Sequence, residues 1–572
     1  MDRDVGSSDK AWVPFKVGVV GGGMAGLYAA FLLNEKGHNV HVFEASNRIG
    51  GRIFTHHFST EKNQYFEAGA MRIPNSSFQA VLFQLIDQLN KHPSLPDDKK
   101  IHLIKYVLNS RGNLLRINGQ TQDGRDVGNT TPADINWKVP DEYKNQTAGS
   151  LLTSVLDPLV QPLLEDFDQG FKDLLKFDDF SFRFYLKSVS RWPVRVIDFV
   201  ETVCSQTNQF ALSVTELVMQ NLDFGIQEWF TIANGMDRLP QALAHILGYD
   251  KITFGARVTG IHLERGKKGK KNAVIVADGY NGTIKGRFDQ VILAIPPAAL
   301  KMLVDRPLWS PDKEMAIRSM HFESLFKMGM RFKRRFWELE SPTTKGGQST
   351  TDLPIRWIVY PSNGIGDEGP GVLLIYSWMT DSQTWLPLSA LERRSLALHC
   401  LNKVYPKSRV YDLLMETFDV AWSTRSATGD AMFLPGQFES RFEPAREPEG
   451  NIYFAGEHLS YHHTWVAGAL LSASYAVDQL ELRTLTVVPR AMDEDHTPSP
   501  ENPEESENSH LDPDFTFTPR HILFHGFPDD DVGMHPGLGA PVIRPRSLGG
   551  QYGFHPVGPE VTYLAGPQSG PL

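Results

Sequence analysis

Cysteine is nearly absent from this chain of 572 residues, which contains only Cys204 and Cys400. Two thiols are too few for a disulfide framework, and we interpret both as small buried apolar residues. No run of about 18 apolar residues occurs, which argues against a membrane-spanning helix. Residues 1–15 lack the apolar segment of a secretory signal, so we expect a cytoplasmic protein.

Positive charge is also scarce, since 57 Lys and Arg stand against 67 Asp and Glu, for a formal net charge of −10. No basic excess is available to neutralise phosphates, which argues against a nucleic-acid-binding protein. The composition, 41% hydrophobic and 22% charged, is that of a globular protein large enough for two or three domains. Only residues 490–572 depart from it. They are rich in proline, glycine and acidic residues without periodicity, and we predict that they are disordered.

The most informative stretch is residues 16–52, where an apolar strand, three glycines and a helix precede a second strand that ends in Glu44. Gly21, Gly23 and Gly26 form the G-x-G-x-x-G of a dinucleotide-binding βαβ unit. The first glycine permits a tight turn, the second lets the backbone approach a pyrophosphate, and the third allows close helix–strand packing. The helix N-terminus offers free N–H groups to phosphates, and Glu44 is placed to bind a ribose.

A second glycine turn follows, flanked by Arg48 and Arg52 and suited to the other side of a pyrophosphate. The stretch EASNRIGGR, followed by YFEAGAMRIP at residues 65–74, resembles the flavin-containing amine oxidase family, in particular its L-amino-acid oxidase branch. This resemblance covers roughly residues 14–485. It implies FAD, rather than a nicotinamide, as the cofactor.

The resemblance also implies an α/β fold, in which a Rossmann-type (FAD/NAD(P)-binding) domain carries a mixed α+β substrate domain and an inserted helical subdomain. The implied boundaries are residues 14–75, 230–300 and 426–485 for the FAD-binding domain, 76–131 and 301–425 for the substrate domain, and 132–229 for the helical subdomain.

Local patterns agree with parts of this layout. Residues 151–164 and 194–203 have helical periodicity, and residues 288–297 form a continuous apolar run ended by proline, as in a buried parallel strand. We predict further strands at residues 100–109 and 114–117, which we place together in a second sheet.

Arg72 lies in an apolar context, where a buried arginine is costly unless it is paired. Its partner is either an internal Asp or Glu or a substrate carboxylate, which a planar guanidinium holds at two points. The resemblance implies the second, because the arginine at this motif position binds the α-carboxylate in L-amino-acid oxidases. Tyr376 lies in a predicted strand, GVLLIYSW. The resemblance implies that it donates to the same carboxylate, and the alternative is a ring packed at a sheet edge.

Lys327 admits two interpretations. Residues 325–335 alternate, with phenylalanines and methionines on one face and Lys327, Arg331 and Lys333 on the other, which indicates a solvent-facing lysine. The resemblance implies instead a catalytic lysine that holds a water beside flavin N5. A cation there would favour electron transfer to O2 by stabilising developing superoxide charge.

Trp422 and Trp465 would line the substrate side of the flavin, although large indoles are usually core residues. Thr464 stands where the family's animal members have glycine, so the contact to the substrate α-amino group stays open. Trp465 opens the last helix, whose N-terminus would stabilise an anionic reduced flavin, and Glu457 would accept hydrogen bonds from cofactor hydroxyls. Together with Arg72, the remaining cofactor-binding residues that the resemblance implies are Met24, Ala25, Ala45, Gly69, Ala70, Met71, Val258 and Val466.

The implied reaction is the FAD-dependent oxidative deamination of an L-amino acid, with an aromatic or apolar side chain as one option, to a 2-oxo acid, ammonia and hydrogen peroxide by O2. An amine oxidase, an amino-acid 2-monooxygenase and a catalytically inactive flavin-binding scaffold stay open as alternatives.

Neither cysteine falls in the last segment, where covalent flavin attachment occurs in monoamine oxidases, so we predict non-covalent FAD. His462 and His463 are adjacent, but no further ligand spacing indicates a metal site. A homodimer is an option that the sequence leaves open.

Overall fold

The computed structural model describes residues 13–124, 126–265, 271–340, 343–424 and 429–486. The tail that we predict to be disordered, residues 490–572, therefore lies outside the described residues. The strands in chain order are β1 (Lys16–Val20), β2 (Asn39–Phe43), β3 (Thr55–His57), β4 (Tyr65–Glu67), β5 (Ile73–Pro74), β6 (Leu103–Lys105), β7 (Leu114–Ile117), β8 (Gln120–Asp123), β9 (Trp229–Ile232), β10 (Ile252–Thr253), β11 (Arg257–Arg265), β12 (Lys271–Gly279), β13 (Gly282–Phe288), β14 (Gln290–Leu293), β15 (Leu325–Phe332), β16 (Gln348–Thr351), β17 (Trp357–Val359), β18 (Gly371–Trp378), β19 (Leu414–Ala421) and β20 (Ile452–Phe454).

The α-helices in the same part of the chain are α1 (Met24–Glu35), α2 (Ala80–Lys91), α3 (Ala148–Glu165), α4 (Phe167–Leu175), α5 (Phe182–Ser188), α6 (Val194–Cys204), α7 (Val214–Asn221), α8 (Arg238–Leu247), α9 (Pro297–Met302), α10 (Pro311–Ser319), α11 (Phe336–Leu339), α12 (Met379–Gln383), α13 (Ala390–Val404), α14 (Val410–Leu413), α15 (Glu443–Arg446) and α16 (Val466–Thr486). No helix of the described ranges is both long and apolar enough to span a bilayer.

The nucleotide end of the molecule is a five-stranded parallel sheet in the order β10-β2-β1-β14-β20. Val17 and Val19 of β1 are fully buried, and α1 packs against α16 beside the sheet. The predicted βαβ unit at the start of the chain is therefore present. Three separate stretches of chain supply the strands, and this mixed helix-and-sheet architecture confirms the α/β fold class.

A seven-stranded sheet in the order β19-β15-β18-β17-β16-β7-β8 lies beside the predicted substrate site. Strand β15, which lies between β19 and β18, is buried along its whole length. One face packs into the core with Phe326 and Met328, whereas the other lies against Phe66, whose ring would be 2.2 Å from a Cβ atom placed at Gly329. The interpretation of Lys327 as a solvent-facing residue is therefore wrong, because both faces of its strand are covered.

The predicted strand at residues 100–109 is shorter than expected and lies in a different sheet. Only β6 forms there, and it pairs with β9 in a three-stranded sheet of the order β5-β9-β6. The strand at Leu114–Ile117 instead joins the seven-stranded sheet, so the placement of both segments in one sheet is wrong. The small sheet has a role at the site, because β5 begins directly after Arg72 and pairs with Trp229 of β9.

Five helices, α3 to α7, form the strand-poor region between residues 148 and 221, where helical periodicity was expected. Four of them begin at a side chain that accepts a hydrogen bond from a backbone N–H of the first turn. The capping residues are Thr147, Asp166, Ser181 and Ser213. Local sequence thus determines where these helices start.

Candidate active site

One cavity of about 530 Å³ connects the glycine turns of the parallel sheet with strands β15 and β18. Of the predicted site residues, Gly26 does not line it. Those that do are Gly21, Gly23, Met24, Ala25, Glu44, Ala45, Arg52, Gly69, Ala70, Met71, Arg72, Val258, Lys327, Tyr376, Trp422, Glu457, Thr464, Trp465 and Val466.

The first glycine turn has the backbone geometry that its spacing predicts. Gly21 has a φ of +106°, a conformation that side chains disfavour. A Cβ atom at Gly26 would lie 1.9 Å from the carbonyl oxygen of Gly21, so only glycine lets α1 approach the turn this closely. At Gly23 the nearest atom to such a Cβ is 3.9 Å away, in Gly51. The space beside Gly23 is therefore open to a ligand.

Glu44 lies at the end of β2 on the cavity wall, and the turn itself holds its carboxylate. One oxygen accepts from the backbone N–H of Gly22 at 2.7 Å, and the other accepts from the backbone and the hydroxyl of Ser46 at 2.9 and 2.7 Å. These bonds fix the orientation of the carboxylate that we predict to bind a ribose.

Arg48 does not face the cavity. Its guanidinium donates to the carbonyl oxygens of Gly51 and Ile53 at 2.8 and 3.3 Å, and it lies 4.4 Å from the ring centre of Phe54. The prediction that Arg48 flanks a pyrophosphate is therefore wrong. Backbone carbonyls three and five residues further along the chain take up its donors, and Arg48 holds the second glycine turn together.

Glu457 joins three segments of chain around the cavity. Its carboxylate accepts from Arg52 Nη1 at 2.7 Å, from the backbone N–H of Ala431 at 3.1 Å and from that of Thr464 at 3.0 Å. Burial would raise the pKa of this carboxyl, but Arg52 and two neighbouring histidines outweigh burial and lower the pKa to about 2. Glu457 is thus an anion whose oxygens accept from protein donors, and its hydrogen bonds with cofactor hydroxyls stay a prediction.

Lys327 is buried, with 4% of its surface exposed, and its Nζ faces the cavity wall. Nζ donates to the carbonyl oxygen of Gly69 at 2.5 Å and lies 4.5 Å from the ring centre of Tyr376. Burial lowers the pKa of this lysine to about 7, against the opposing attraction of Asp430. Lys327 can therefore gain or lose a proton near neutral pH.

Arg72 reaches the cavity between two aromatic rings, 5.3 Å from the ring centre of Phe224 and 5.5 Å from that of Trp229. Its Nη1 nitrogen is buried without a hydrogen-bond partner, and no carboxylate of the described residues forms an ion pair with it. Tyr376 also lines the cavity, and no hydrogen bond joins its hydroxyl group to another described residue. Burial raises the pKa of Tyr376, so it stays a neutral donor.

Trp422, Trp465 and Thr464 also line the cavity. Trp422 is buried and donates from Nε1 to the carbonyl oxygen of Ala68 at 2.8 Å, and Trp465, directly before α16, lies 6.1 Å from the ring of Trp229. Thr464 has a φ of +70°, which is strained for a β-branched residue. The backbone thus keeps a conformation that suits glycine, and the bond from its N–H to Glu457 holds it there.

The two adjacent histidines, His462 and His463, have different contacts. His463 Nδ1 is 2.7 Å from a carboxylate oxygen of Glu216 on α7, whereas the ring of His462 packs 4.9 Å from that of Phe78. No cluster of three or more His, Cys, Asp or Glu side chains suited to a metal ion occurs in the ranges that the structure describes.

Comparison with known proteins identifies the family of this chain. A model of the family described as flavin containing amine oxidoreductase matches residues 24–480, which is most of the chain. This chain belongs to the flavin-containing amine oxidoreductase family.

Relatives of this amine oxidoreductase include several L-amino-acid oxidases. L-amino-acid oxidase 4 of Hebeloma cylindrosporum is 30% identical over 519 residues, covering 81% of either chain, and the L-amino-acid oxidase of Siganus canaliculatus is 28% identical over 82% of this chain and 85% of its own. A Dictyostelium discoideum protein with the provisional name bifunctional amine oxidase is 33% identical over 81% of this chain, which spans only 46% of that relative.

Solved structures share the fold of this amine oxidoreductase. Putrescine oxidase bound to putrescine has a TM-score of 0.63 at 19% identity, covering 82% of this chain and all of its own. Cyclohexylamine oxidase from Brevibacterium oxydans has the same TM-score at 16% identity.

The residues of this amine oxidoreductase fit the flavin that its family implies. The open backbone at Gly23 and the N-terminus of α1 at Met24 lie on one wall, and Val258 of β11 lies farther along the same cavity. Residues 44, 52 and 457 supply charged groups along it. Neither Cys204 nor Cys400 lines this cavity.

Phe224 and Asp430 are two of the cavity residues that the sequence analysis did not single out. Phe224 covers Arg72, and Asp430 lines the same cavity as Lys327, on which its charge acts. Neither residue lies in a periodic segment or a recognisable motif, so no local signal singled it out. Only the tertiary structure, which brings Phe224 and Asp430 to the cavity, reveals them.

Proposed function

We propose that this amine oxidoreductase uses non-covalent FAD and O2 to oxidise an L-amino acid to a 2-oxo acid, ammonia and hydrogen peroxide. The observation that carries the proposal is the unpaired Nη1 of Arg72 in a cavity that also contains Tyr376 and Lys327. A buried donor without a partner is costly, and a substrate carboxylate would remove that cost through charge-assisted hydrogen bonds.

The roles of the side chains follow from their positions. Arg72 binds the α-carboxylate with two N–H groups, and the neutral hydroxyl of Tyr376 donates to the same group. Trp422, Trp465 and Phe224 exclude water from the bound substrate, which strengthens these charged contacts. The bound flavin supplies the two-electron acceptor for the α-C–H pair.

Lys327 contributes to the half-reaction with O2. Its pKa is about 7, so only a fraction of Lys327 is protonated and positively charged at neutral pH, and this fraction rises as pH falls. A cation held in a cavity of low polarity stabilises charge that develops on oxygen more strongly than it would in water. The carbonyl of Gly69 keeps this ammonium group in place.

A substrate panel tests the proposal. Purified holoenzyme is assayed for hydrogen peroxide, ammonia and 2-oxo acid with L-amino acids, their D-enantiomers and the corresponding decarboxylated amines. We expect equal amounts of the three products from L-amino acids and much slower turnover of the amines. Acid precipitation should release FAD into the supernatant.

Oxidation of a simple amine is the second candidate, because one relative is named as an amine oxidase and the family includes that activity. Faster turnover of the amine than of its parent amino acid would replace the first proposal by this one. An amide product, formed without hydrogen peroxide, would indicate a monooxygenase. A flavin-loaded protein that turns over no member of the panel would indicate a binding scaffold.

A further inference from the structure

Asp430 lies on the cavity wall at a place where the backbone is fixed. Its carbonyl oxygen accepts from the backbone N–H of Glu323 at 2.9 Å, and the next residue, Ala431, forms a bridge to Phe322 and donates to Glu457. The main chain therefore cannot turn easily, and the side chain of Asp430 points to the cavity that we assign to the substrate.

The carboxyl group of Asp430 has no hydrogen bond to any residue of the described ranges. It thus resembles Nη1 of Arg72 and the hydroxyl of Tyr376, which face the same cavity and also lack a protein partner. These three described side chains present two unpaired donors and one unpaired acid to the cavity. A zwitterionic amino acid carries the complementary groups, a carboxylate and an ammonium.

The acid lines the same cavity as Lys327, Tyr376, Arg52 and Glu457. Its charge acts on Lys327 and Tyr376, and the charges of Arg52 and Glu457 act on it. An acid close to both the carboxylate anchor and Lys327 is near the α-carbon of a bound amino acid, not near the distal end of its side chain. Arg72 faces the same region, because its charge also acts on Lys327 and Tyr376.

Further titratable groups surround the backbone of this residue. Glu323, which binds the carbonyl of Asp430, has its own carboxyl 3.5 Å from His321 Nε2, and His458 lies on the cavity wall next to Glu457. Burial lowers the pKa of His458 to about 3, so this ring stays neutral. A neutral His458 forms no ion pair with Asp430.

We propose that the carboxylate of Asp430 binds the α-ammonium group of the substrate and accepts one of its protons. This inference rests on the proposed function, because it assumes that Arg72 holds the α-carboxylate. The position of Asp430 on the cavity wall, with no hydrogen-bond partner for its carboxyl among the described residues, carries this assignment, and its titration agrees with the role. Burial and the anion Glu457 raise the pKa of Asp430, while Arg52 and Lys327 oppose them, and the result is about 7.

Glu457 and Asp430 therefore have different roles. Both are acids of one cavity, yet the pKa of Glu457 is about 2 and that of Asp430 is about 7. Two acids whose environments separate their pKa values in this way commonly have different roles in a reaction. Glu457 stays ionised and structural, whereas Asp430 can exchange a proton at neutral pH.

The proton transfer balances as follows. An oxygen of Asp430 forms an O–H bond while one N–H bond of the ammonium breaks, and the electron pair of that bond stays on nitrogen as the lone pair of a neutral amine. A bound flavin would supply the acceptor for the hydride of the α-C–H bond, and this lone pair would then form the C=N bond of the product iminium. The two electrons finally reduce O2, which the proposed function already supplies.

The test compares Asp430→Asn and Asp430→Ala with wild type and with Asp87→Asn, a surface control whose side chain is 63% exposed. The pH profile of kcat/KM is measured with an L-amino acid whose side chain is uncharged. Without the base, only the fraction of substrate that is already neutral reacts. We expect a loss of about 10²-fold or more at pH 7 that shrinks as pH rises, since positioned bases contribute roughly 10²- to 10⁴-fold. Asp430→Glu should recover part of the rate.

Two measurements separate this role from damage to the fold. FAD content of the variants should equal that of wild type. The affinity of 3-phenylpropanoate, a carboxylate without an amino group, should not fall in Asp430→Asn, whereas loss of its binding would reveal a structural role. Asp87→Asn should match wild type in every assay.

Two results would overturn the inference. One is a pH profile of Asp430→Asn that runs parallel to that of wild type. Another is a loss confined to lysine- or arginine-type substrates, which would make Asp430 a reader of basic side chains. If wild type oxidises only simple amines, the proposed function fails. The profile of Asp430→Asn with the amine then still decides whether this acid takes the proton.

Discussion

Nζ of Lys327 lies 4.5 Å from the ring centre of Tyr376, which is its direct partner across the antiparallel strands β15 and β18. This pairing brings the lysine proposed to promote O2 reduction next to the tyrosine proposed to bind the substrate carboxylate. Both strands belong to the seven-stranded sheet, so the register of the sheet fixes the distance between these two side chains. A shift of one residue would turn either side chain to the opposite face.

Replacing Lys327 by Met should slow reoxidation of the flavin by O2 with little effect on its reduction by substrate. Removal of one charge that stabilises developing oxyanion charge costs about 10²- to 10³-fold in comparable sites. Stopped-flow measurement of the two half-reactions separates these effects. Lys333→Met, an exposed neighbour just beyond β15, is the control.

The wild-type reaction with O2 should also depend on pH in a defined direction. The pKa of Lys327 is lowered to about 7, so its ammonium form predominates below that pH and is lost above it. We therefore expect the O2 half-reaction to slow as pH rises through about 7. The rate in Lys327→Met should show no such decline, and a decline that persists in this variant would contradict the assignment.

Replacing Arg72 by Met should reduce kcat/KM for L-amino acids by about tenfold to hundredfold, since hydrogen bonds to charged groups contribute about 1.5–3 kcal/mol. The decarboxylated amine of the best substrate should gain relative to its parent acid, because it has no carboxylate to leave unpaired. Steady-state assays of both substrates measure the ratio. Arg334→Met serves as a control, since half of that side chain is exposed.

An unchanged ratio of acid to amine turnover in Arg72→Met would show that Arg72 has no role in carboxylate binding. Loss of FAD from the same variant would instead make Arg72 a structural residue. Either result would favour the amine oxidase alternative.

Replacing Glu457 by Gln should destabilise the holoenzyme by about 3–5 kcal/mol, because it breaks a mostly buried ion pair with Arg52. Thermal unfolding of the FAD-loaded protein measures the loss. Glu443→Gln breaks a more exposed pair with Arg446 and should change stability by less than about 1 kcal/mol. Equal effects of the two substitutions would contradict the role of Glu457 in joining the chain segments.

The stability that Glu457 contributes should also depend on pH. Its pKa is depressed from 4.5 in the unfolded chain to about 2 in the folded protein, so the contribution is complete above about pH 4.5 and is lost as pH falls through about 2. The free-energy difference between wild type and Glu457→Gln should shrink across this window. A difference that is constant from pH 6 to pH 3 would argue against a charge effect.

Replacing Gly26 by Ala should abolish FAD binding, because the new Cβ would lie 1.9 Å from the carbonyl oxygen of Gly21. The turn would have to open, and the N–H groups that face the cavity would lose their positions. FAD content per protein, measured by absorbance, reports the effect. Gly225→Ala, where no atom lies within 4 Å of the added Cβ, should retain FAD.

Features that depend on neighbours in sequence could be predicted from sequence. The strand–glycine–helix unit at Gly21 and Gly26 follows from steric limits on consecutive residues, and the structure contains it. The helices between residues 148 and 221 follow from apolar periodicity and from caps such as Ser181 and Ser213. The family assignment also followed from sequence, because its motifs are short and continuous.

Features that depend on packing between distant segments required the tertiary structure. The alternation of apolar and charged residues along β15 predicts that Lys327 faces solvent. The contact with Phe66 from β4 buries that face instead. Arg48 is a local exception, since its donors bind carbonyls three and five residues away, a contact that the motif alone did not indicate. Asp430 gave no signal at all, since only the cavity places it beside a lysine more than 100 residues earlier in the chain. Local patterns determine which element forms, whereas long-range packing decides which charged groups lose water and so acquire the pKa values that chemistry needs.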